Sequence, residues 1–125
     1  MLDDADIYAV VAVKEMGRAK EFYEGKLGFK SVKTIGDFVV IYEAGGGKLQ
    51  VYVSESAGTN QATSVTWMVD DLKKTAEALK AAGVSFERYD FPGVEYDGDV
   101  HIMGEQRSAW FKDPDGNVLA LAPKG

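Results

Sequence analysis

The chain of 125 residues contains one histidine, His101, and no cysteine. Thiolate nucleophiles, disulfides and thiolate metal sites are therefore excluded. His101 lies in FPGVEYDGDVHIMGEQ, residues 91–106, with Glu95, Asp97, Asp99 and Glu105 nearby in sequence. An imidazole titrates near neutrality, so His101 is the candidate general base of the chain. One imidazole among carboxylates is otherwise a weak cation site, and a solvated loop with an incidental histidine is the plainer reading. No serine sits in a nucleophile motif. The Gly45-Gly46-Gly47 run is followed by Lys48-Leu49, so it lacks the Lys-Ser/Thr of a phosphate loop and reads as a turn.

The second stretch of interest is WFKDPDGNVLAL, residues 110–121. Pro114 suits the first position of a turn, Asp115 the second, and Gly116 accepts positive φ. This predicts a type I turn with a glycine bulge closing a hairpin. Asp113 then pairs with Asn117, and Trp110 falls opposite Ala120. By period-two alternation, Phe111, Leu119 and Leu121 form a core face. Trp110, Val118, Ala120 and Ala122 form the other, where one large ring stands among small residues.

The elements that position these residues form an internal repeat. IYAVVAVKEMGRAKEFYEGKLGFKSV aligns with SVTWMVDDLKKTAEALKAAGVSFERY. Each begins with an apolar strand, enters a helix and stops at Gly28 or Gly83, as helix C-termini do. Met16, Ala19, Phe22, Tyr23 and Leu27 have helical spacing in the first half, and Leu72, Ala76, Leu79 and Ala82 in the second. Asp70 or Asp71 caps the second helix. Three strands are expected after each helix. In the first half they are FKSVKTI, DFVVIYEA and KLQVYVSE; in the second, VSFERYDF, RSAWFK and NVLALA. The chain thus reads as α+β: a single domain over 1–125 built of two tandem βαβββ modules, 6–56 and 64–125, with 57–63 as a linker. The expected sheets are mixed and curved into half-barrels, with the helices outside. Residues 92–106 exceed the usual loop of ~4–6 residues and read as a mobile lid carrying Tyr96, His101 and Met103.

Bulk properties narrow the partners. A net charge of −6 and a pI near 4.7 argue against a phosphate-binding surface of the nucleic-acid type. No apolar run approaches the ~20 residues that span a bilayer. The N-terminal MLDDADIYAV lacks the basic region of a signal peptide, so a cytoplasmic protein is expected.

With KEMGRAKEFYEGKLGF near its start and WFKDPDGNVLAL at its end, the chain resembles the vicinal oxygen chelate superfamily, which includes glyoxalase I, extradiol dioxygenases and the bleomycin and fosfomycin resistance proteins. The resemblance implies four metal ligands, usually His and Glu, on the concave sheet faces, where the ion acts as a Lewis acid. It places them at Tyr8, Gln50, Ser64 and, as the Glu of a DPDGN-x-x-E pattern, Ala120. None of the four is a ligand that such ions take. No metal and no cofactor is therefore expected.

Alternation sets the lining of the concave face: Tyr8, Val10, Gln50, Tyr52, Ser64, Thr66, Met68, Trp110 and Ala120, with His101 from the 92–106 segment. These form an aromatic and apolar cup with a few hydroxyl and amide groups, suited to a small aromatic or apolar ligand. Two function classes follow. One is a metal-independent binding protein of the bleomycin resistance type, holding a small molecule in a cavity that a homodimer completes. The other is a glyoxalase-like lyase or isomerase, or a dioxygenase-related enzyme, using His101, Tyr8 or displaced metal ligands.

Overall fold

A computed structural model describes all residues 1–125. The first half contributes β1 (Tyr8–Val13), α1 (Met16–Lys20), and then β2 (Ser31–Ile35), β3 (Val39–Ala44) and β4 (Gly47–Val53). They form a four-stranded sheet of order β1-β4-β3-β2, with β1 parallel to β4 and the other pairs antiparallel. The second half contributes β5 (Thr63–Val69), α2 (Leu72–Ala81), β6 (Phe86–Glu87), β7 (Glu95–Asp97), β8 (Val100–Met103), β9 (Gln106–Lys112) and β10 (Val118–Pro123). Its sheet runs β5-β10-β9-β8-β7, with β6 also paired to β9 and β5 parallel to β10. In both halves the first strand therefore lies parallel to the last, as two copies of one βαβββ unit require. Neither sheet closes into a barrel.

Local chemistry accounts for the helix boundaries. The Asp71 carboxylate accepts from the Lys74 N–H at 3.1 Å, satisfying one of the free donors at the start of α2. Gly83, at φ 98°, ends that helix and lets the Val84 N–H reach back to the Leu79 carbonyl. Ala82 falls after the last turn and is exposed, so it does not extend the buried stripe. The first helix departs from expectation: after Lys20 it widens into a π-helical turn, Glu21–Lys26. Neighbouring Phe22 and Tyr23 are both buried there, and the turn leads directly to Leu27 and Phe29.

Strand alternation supplies one core shared by both halves. Val11, Val13, Val40, Tyr42, Leu49 and Val51 meet Ala109, Phe111, Leu119 and Leu121 under the helix residues Met16, Ala19, Phe22, Tyr23, Leu72 and Ala76. A polar clamp crosses this core. The buried Asp113 carboxylate accepts from the Tyr23 hydroxyl at 2.8 Å, from Asn117 Nδ2 at 2.8 Å, and from the N–H groups of Asp115 and Asn117. Asn117 Nδ2 also donates to the Ala12 carbonyl at 2.7 Å, and the Arg18 guanidinium donates to the Pro114 carbonyl at 2.7 Å. The DPDG turn of the second half is thereby bolted to β1 and α1 of the first. Its register is the expected one: Asp113 N–H bonds the Asn117 carbonyl, Gly116 has φ 89°, and Trp110 pairs with Ala120.

Two expectations fail in residues 84–106. The expected strand VSFERYDF shrinks to Phe86–Glu87, and the expected lid contains the hairpin β7–β8. This hairpin is docked on α2. Lys73 pairs with Asp97 at 2.9 Å and Lys80 with Asp99 at 3.3 Å, while Arg88 donates to the Gly98 carbonyl and covers the Tyr96 ring. Each exposed pair contributes little alone. The ladder of β8 on β9 provides the main restraint.

Candidate functional site

The face of each sheet turned away from the helices carries the residues of interest. In the first sheet, Gln50 pairs with Val10 and Ile41, and Tyr52 with Ala12 and Val39; Tyr8 shares their face. In the second, Ala120 pairs with both Thr66 and Trp110, which fixes Thr66 and Met68 on Trp110's side; the ladder shifts at Ser64, which is left unpaired between Thr63, the partner of Val118, and Val65, the partner of Leu119. The two sets belong to different sheets, whose facing edges β1 and β5 lie side by side without a hydrogen-bonded ladder. Core residues Val11, Val51, Val65, Phe111 and Leu119 take the opposite parity throughout.

The two faces differ in how they are covered. On the second sheet, Trp110 stands in a cluster of rings. His101 lies 4.9 Å away edge-on, Tyr89 5.4 Å and Phe91 6.0 Å, between centroids. Tyr96 packs on His101 at 5.0 Å, and the Trp110 indole N–H donates to the Thr63 hydroxyl at 3.2 Å. Ala120 is buried beneath this cluster. On the first sheet no comparable cluster forms. Tyr8 and Val10 remain 40% and 50% exposed, as do Ile35 and Phe38 at 51% and 67%, and across the seam Met68 is 54% exposed.

His101 is not the solvated loop residue that the sequence suggests. It is fully buried, and both ring nitrogens are engaged. The Tyr89 N–H donates to Nε2 at 2.8 Å, and Nδ1 lies 3.2 Å from the Asp99 carbonyl. These partners assign a neutral ring with its proton on Nδ1. The lone pair that a general base would use already accepts a backbone hydrogen bond. Met103, the third residue expected on a lid, is in β8. Tyr89 and Phe91 are the members of the cluster that sequence reasoning missed. Their parity with Glu87, the partner of Trp110 in the ladder, was the available signal.

Burial governs ionisation in the core that supports these faces. The Tyr23 hydroxyl is pushed far above its ordinary value, first by desolvation and then by the negative charge and hydrogen bond of Asp113. Tyr42, donating to Glu24 at 2.8 Å, is raised by desolvation and by that hydrogen bond. Both stay protonated donors. Lys73 is raised by its hydrogen bond to Asp97 and by that residue's charge.

A divalent ion does not fit the Tyr8, Gln50, Ser64 and Ala120 positions. Ala120 offers no donor, Ser64 and Gln50 offer only neutral oxygen, and the Tyr8 phenol binds metal only after losing its proton. Lys48 also places its ammonium 5.9 Å from the centre of the Tyr8 ring, where it opposes a second cation. Nowhere in the fold do three His, Cys, Asp or Glu side chains gather in a metal-holding group. No helix is long and apolar enough to cross a membrane.

Residues 7–121 match the model of the Glyoxalase/Bleomycin resistance protein/Dioxygenase superfamily. No curated protein matches the sequence significantly. Among solved structures, a glyoxalase family protein from Enterococcus faecalis superposes with a TM-score of 0.72 at 17% identity, covering 98% of this chain and 99% of that one. A bleomycin resistance determinant encoded on the transposon Tn5 gives 0.72 at 20% identity, with 95% and 97% covered. A lactoylglutathione lyase from Agrobacterium tumefaciens gives 0.69 at 14% identity, with 96% and 93% covered. At these identities the likeness is one of fold, and these proteins include both a resistance determinant and a lyase.

Proposed function

The chain belongs to the glyoxalase/bleomycin resistance protein/dioxygenase superfamily as a member without the usual metal ligands, and we propose that it is a metal-independent, cytoplasmic small-molecule binding protein. The observation that carries this reading is the chemistry of the open faces. At the four positions to which the family resemblance assigns metal ligands, this chain has a phenol, an amide, a hydroxyl and a methyl group. Around them stand Trp110 with its flanking rings and the uncovered Tyr8, Val10 and Met68. Such a surface binds a flat or moderately apolar molecule by stacking and a few hydrogen bonds, with Gln50, Tyr52, Ser64 and Thr66 supplying the polar contacts. It supplies no Lewis acid. The engaged Nε2 of His101 also weakens the lyase or isomerase reading, which needs a free base.

The partner that covers the exposed apolar residues is a second copy of the chain. Tyr8, Val10, Ile35, Phe38 and Met68 are each at least 40% exposed. Two-fold pairing buries them and closes the cavity. A sedimentation run that gives only monomer at micromolar concentration overturns this part.

The binding reading is tested with the two tryptophans. An aromatic compound selected by screening should quench Trp110, and Trp110→Ala should weaken its binding by ~1–3 kcal/mol while the protein stays folded. Trp67 lies on the helix side and packs against Phe29 and Phe111. Trp67→Ala should instead reduce fold stability, by less than the ~3–5 kcal/mol of a fully buried ring because Trp67 is partly exposed. If Trp67→Ala abolishes binding with stability intact while Trp110→Ala unfolds the protein, the assignment of faces is wrong.

A further inference from the structure

A separate cavity of about 160 Å³ opens on the helix side of the second sheet. Its floor is Phe111 and Leu121, both buried, and its rim is Leu27, Phe29, Trp67 and Leu79, all partly exposed. Trp67 stacks on Phe29 at 5.6 Å with 24° between planes, and on Phe111 at 6.1 Å with 18°. Three nearly parallel rings therefore line it. Apart from the indole N–H of Trp67, the only polar group among its lining side chains is the Thr75 hydroxyl. None of the open-face residues lines it, because Phe111 and Leu121 have the opposite parity to Trp110 and Ala120.

We propose that this cavity is a second binding site, for a single uncharged aromatic ring. Its size matches: an enclosed apolar cavity of about 150 Å³ accepts benzene, and this one, open along its rim, has comparable room. Its chemistry matches too. A flat ring continues the stack of Phe29, Trp67 and Phe111, whereas a charged group finds no counter-charge in the wall and would be desolvated at a cost. The geometry of the first helix prepares the site. The π-helical turn at Glu21–Lys26 delivers Leu27 and Phe29 to the rim, and such turns recur at functional sites. Lys26 then ties the end of that turn to the Gly83 carbonyl at 3.2 Å, holding the C-terminal ends of the two helices together. Because the rim is partly exposed, a ligand enters without the core opening.

The test uses iodobenzene, whose iodine quenches indole fluorescence on contact and scatters anomalously. In Trp110→Phe, Trp67 is the only tryptophan left. Quenching of this variant should saturate, with half-saturation below about 1 mM. Adding Thr75→Phe, which puts a ring into the cavity from α2, should weaken the response by about tenfold or more. Quenching that rises linearly without saturating, or that is unchanged by Thr75→Phe, overturns the proposal. Should Thr75→Phe fail to fold, a crystal of the unmodified protein soaked in iodobenzene decides. An iodine peak among Trp67, Leu79 and Phe111 supports the site, and iodine bound only elsewhere overturns it. Loss of binding on the open face leaves this outcome unaffected, since Trp110 is absent from the assay.

Discussion

Removing the Asp113 carboxylate should be among the most damaging single changes in this protein. The group is 5% exposed and accepts four hydrogen bonds, at 2.8 Å from Tyr23 Oη, 2.8 Å from Asn117 Nδ2, and 3.0 and 2.9 Å from the N–H groups of Asp115 and Asn117. Hydrogen bonds to a charged group contribute ~1.5–3 kcal/mol each but are not additive within one network. In Asp113→Ala the Tyr23 hydroxyl, in a fully buried residue, loses its only acceptor, at a cost of ~1–3 kcal/mol. Asn117 Nδ2 keeps its bond to Ala12, and the Asp115 N–H can turn to water. The expected total is roughly 3–5 kcal/mol, a large share of the ~5–15 kcal/mol that holds a domain together. Tyr23→Phe removes a single donor and should cost ~1.5–3 kcal/mol. In the Asp113→Ala background the same change removes an orphaned hydroxyl and should be neutral or stabilising. Urea unfolding followed by circular dichroism gives the double-mutant cycle. A cost below about 1 kcal/mol for Asp113→Ala, or an equal effect of Tyr23→Phe in both backgrounds, refutes the claim that this clamp joins the halves.

Gly58 has φ +76°, and a Cβ there would overlap the Asp115 carbonyl oxygen, so Gly58→Ala should cost at least ~1–3 kcal/mol in denaturant titration, whereas Gly46→Ala, with open space around it, should be near neutral. Stability should fall as pH rises through about 10, because tyrosines of the unfolded chain ionise there while native Tyr23 and Tyr42 hold their protons; Tyr23→Phe should shallow that alkaline slope. Purified protein should hold no stoichiometric transition metal, and the combined change Tyr8→His, Gln50→Glu, Ser64→His and Ala120→Glu should create cobalt affinity visible as d–d absorbance. A folded quadruple variant with no such absorbance would show that these four positions do not converge.

The parts of the fold legible in the sequence are those specified by neighbours in the chain. The DPDG turn sets its own register, and through it the Trp110–Ala120 pair and the parity of both faces. Gly28 and Gly83 end their helices for a local steric reason. What was not legible depends on distant partners. Asp97-Gly98 is a hairpin signal, but β7 is three residues long and lies among acidic residues and glycines that read as a loop. Its docking depends on Lys73 and Lys80, and the burial of His101 on the backbone of Tyr89. Tyr23 reads as an ordinary helix-face aromatic until Asp113, 90 residues away, is placed beside it. The π turn has no periodic signature at all.

The β7–β8 hairpin also explains why the two halves, alike in topology, differ in what they offer a ligand. It carries Tyr96 and His101 onto the open face of the second sheet, and with Tyr89 and Phe91 they occupy the volume around Trp110. The first half has no such insertion between its helix and its last two strands, and its face stays uncovered at Tyr8, Val10 and Ile35. In the proposed binding protein, therefore, the ring cluster forms a firm wall on one side and the first-half face supplies the open space. A two-fold pairing that lays the uncovered face of one protomer against the ring cluster of its partner yields two equivalent cavities, each with the ring cluster on one side and the mixed face of Tyr8, Val10, Gln50 and Tyr52 on the other. The methyl group of Ala120 suits that arrangement better than a carboxylate. A Glu at this position would bury a charge beneath Trp110 with no metal and no cationic partner to offset its desolvation.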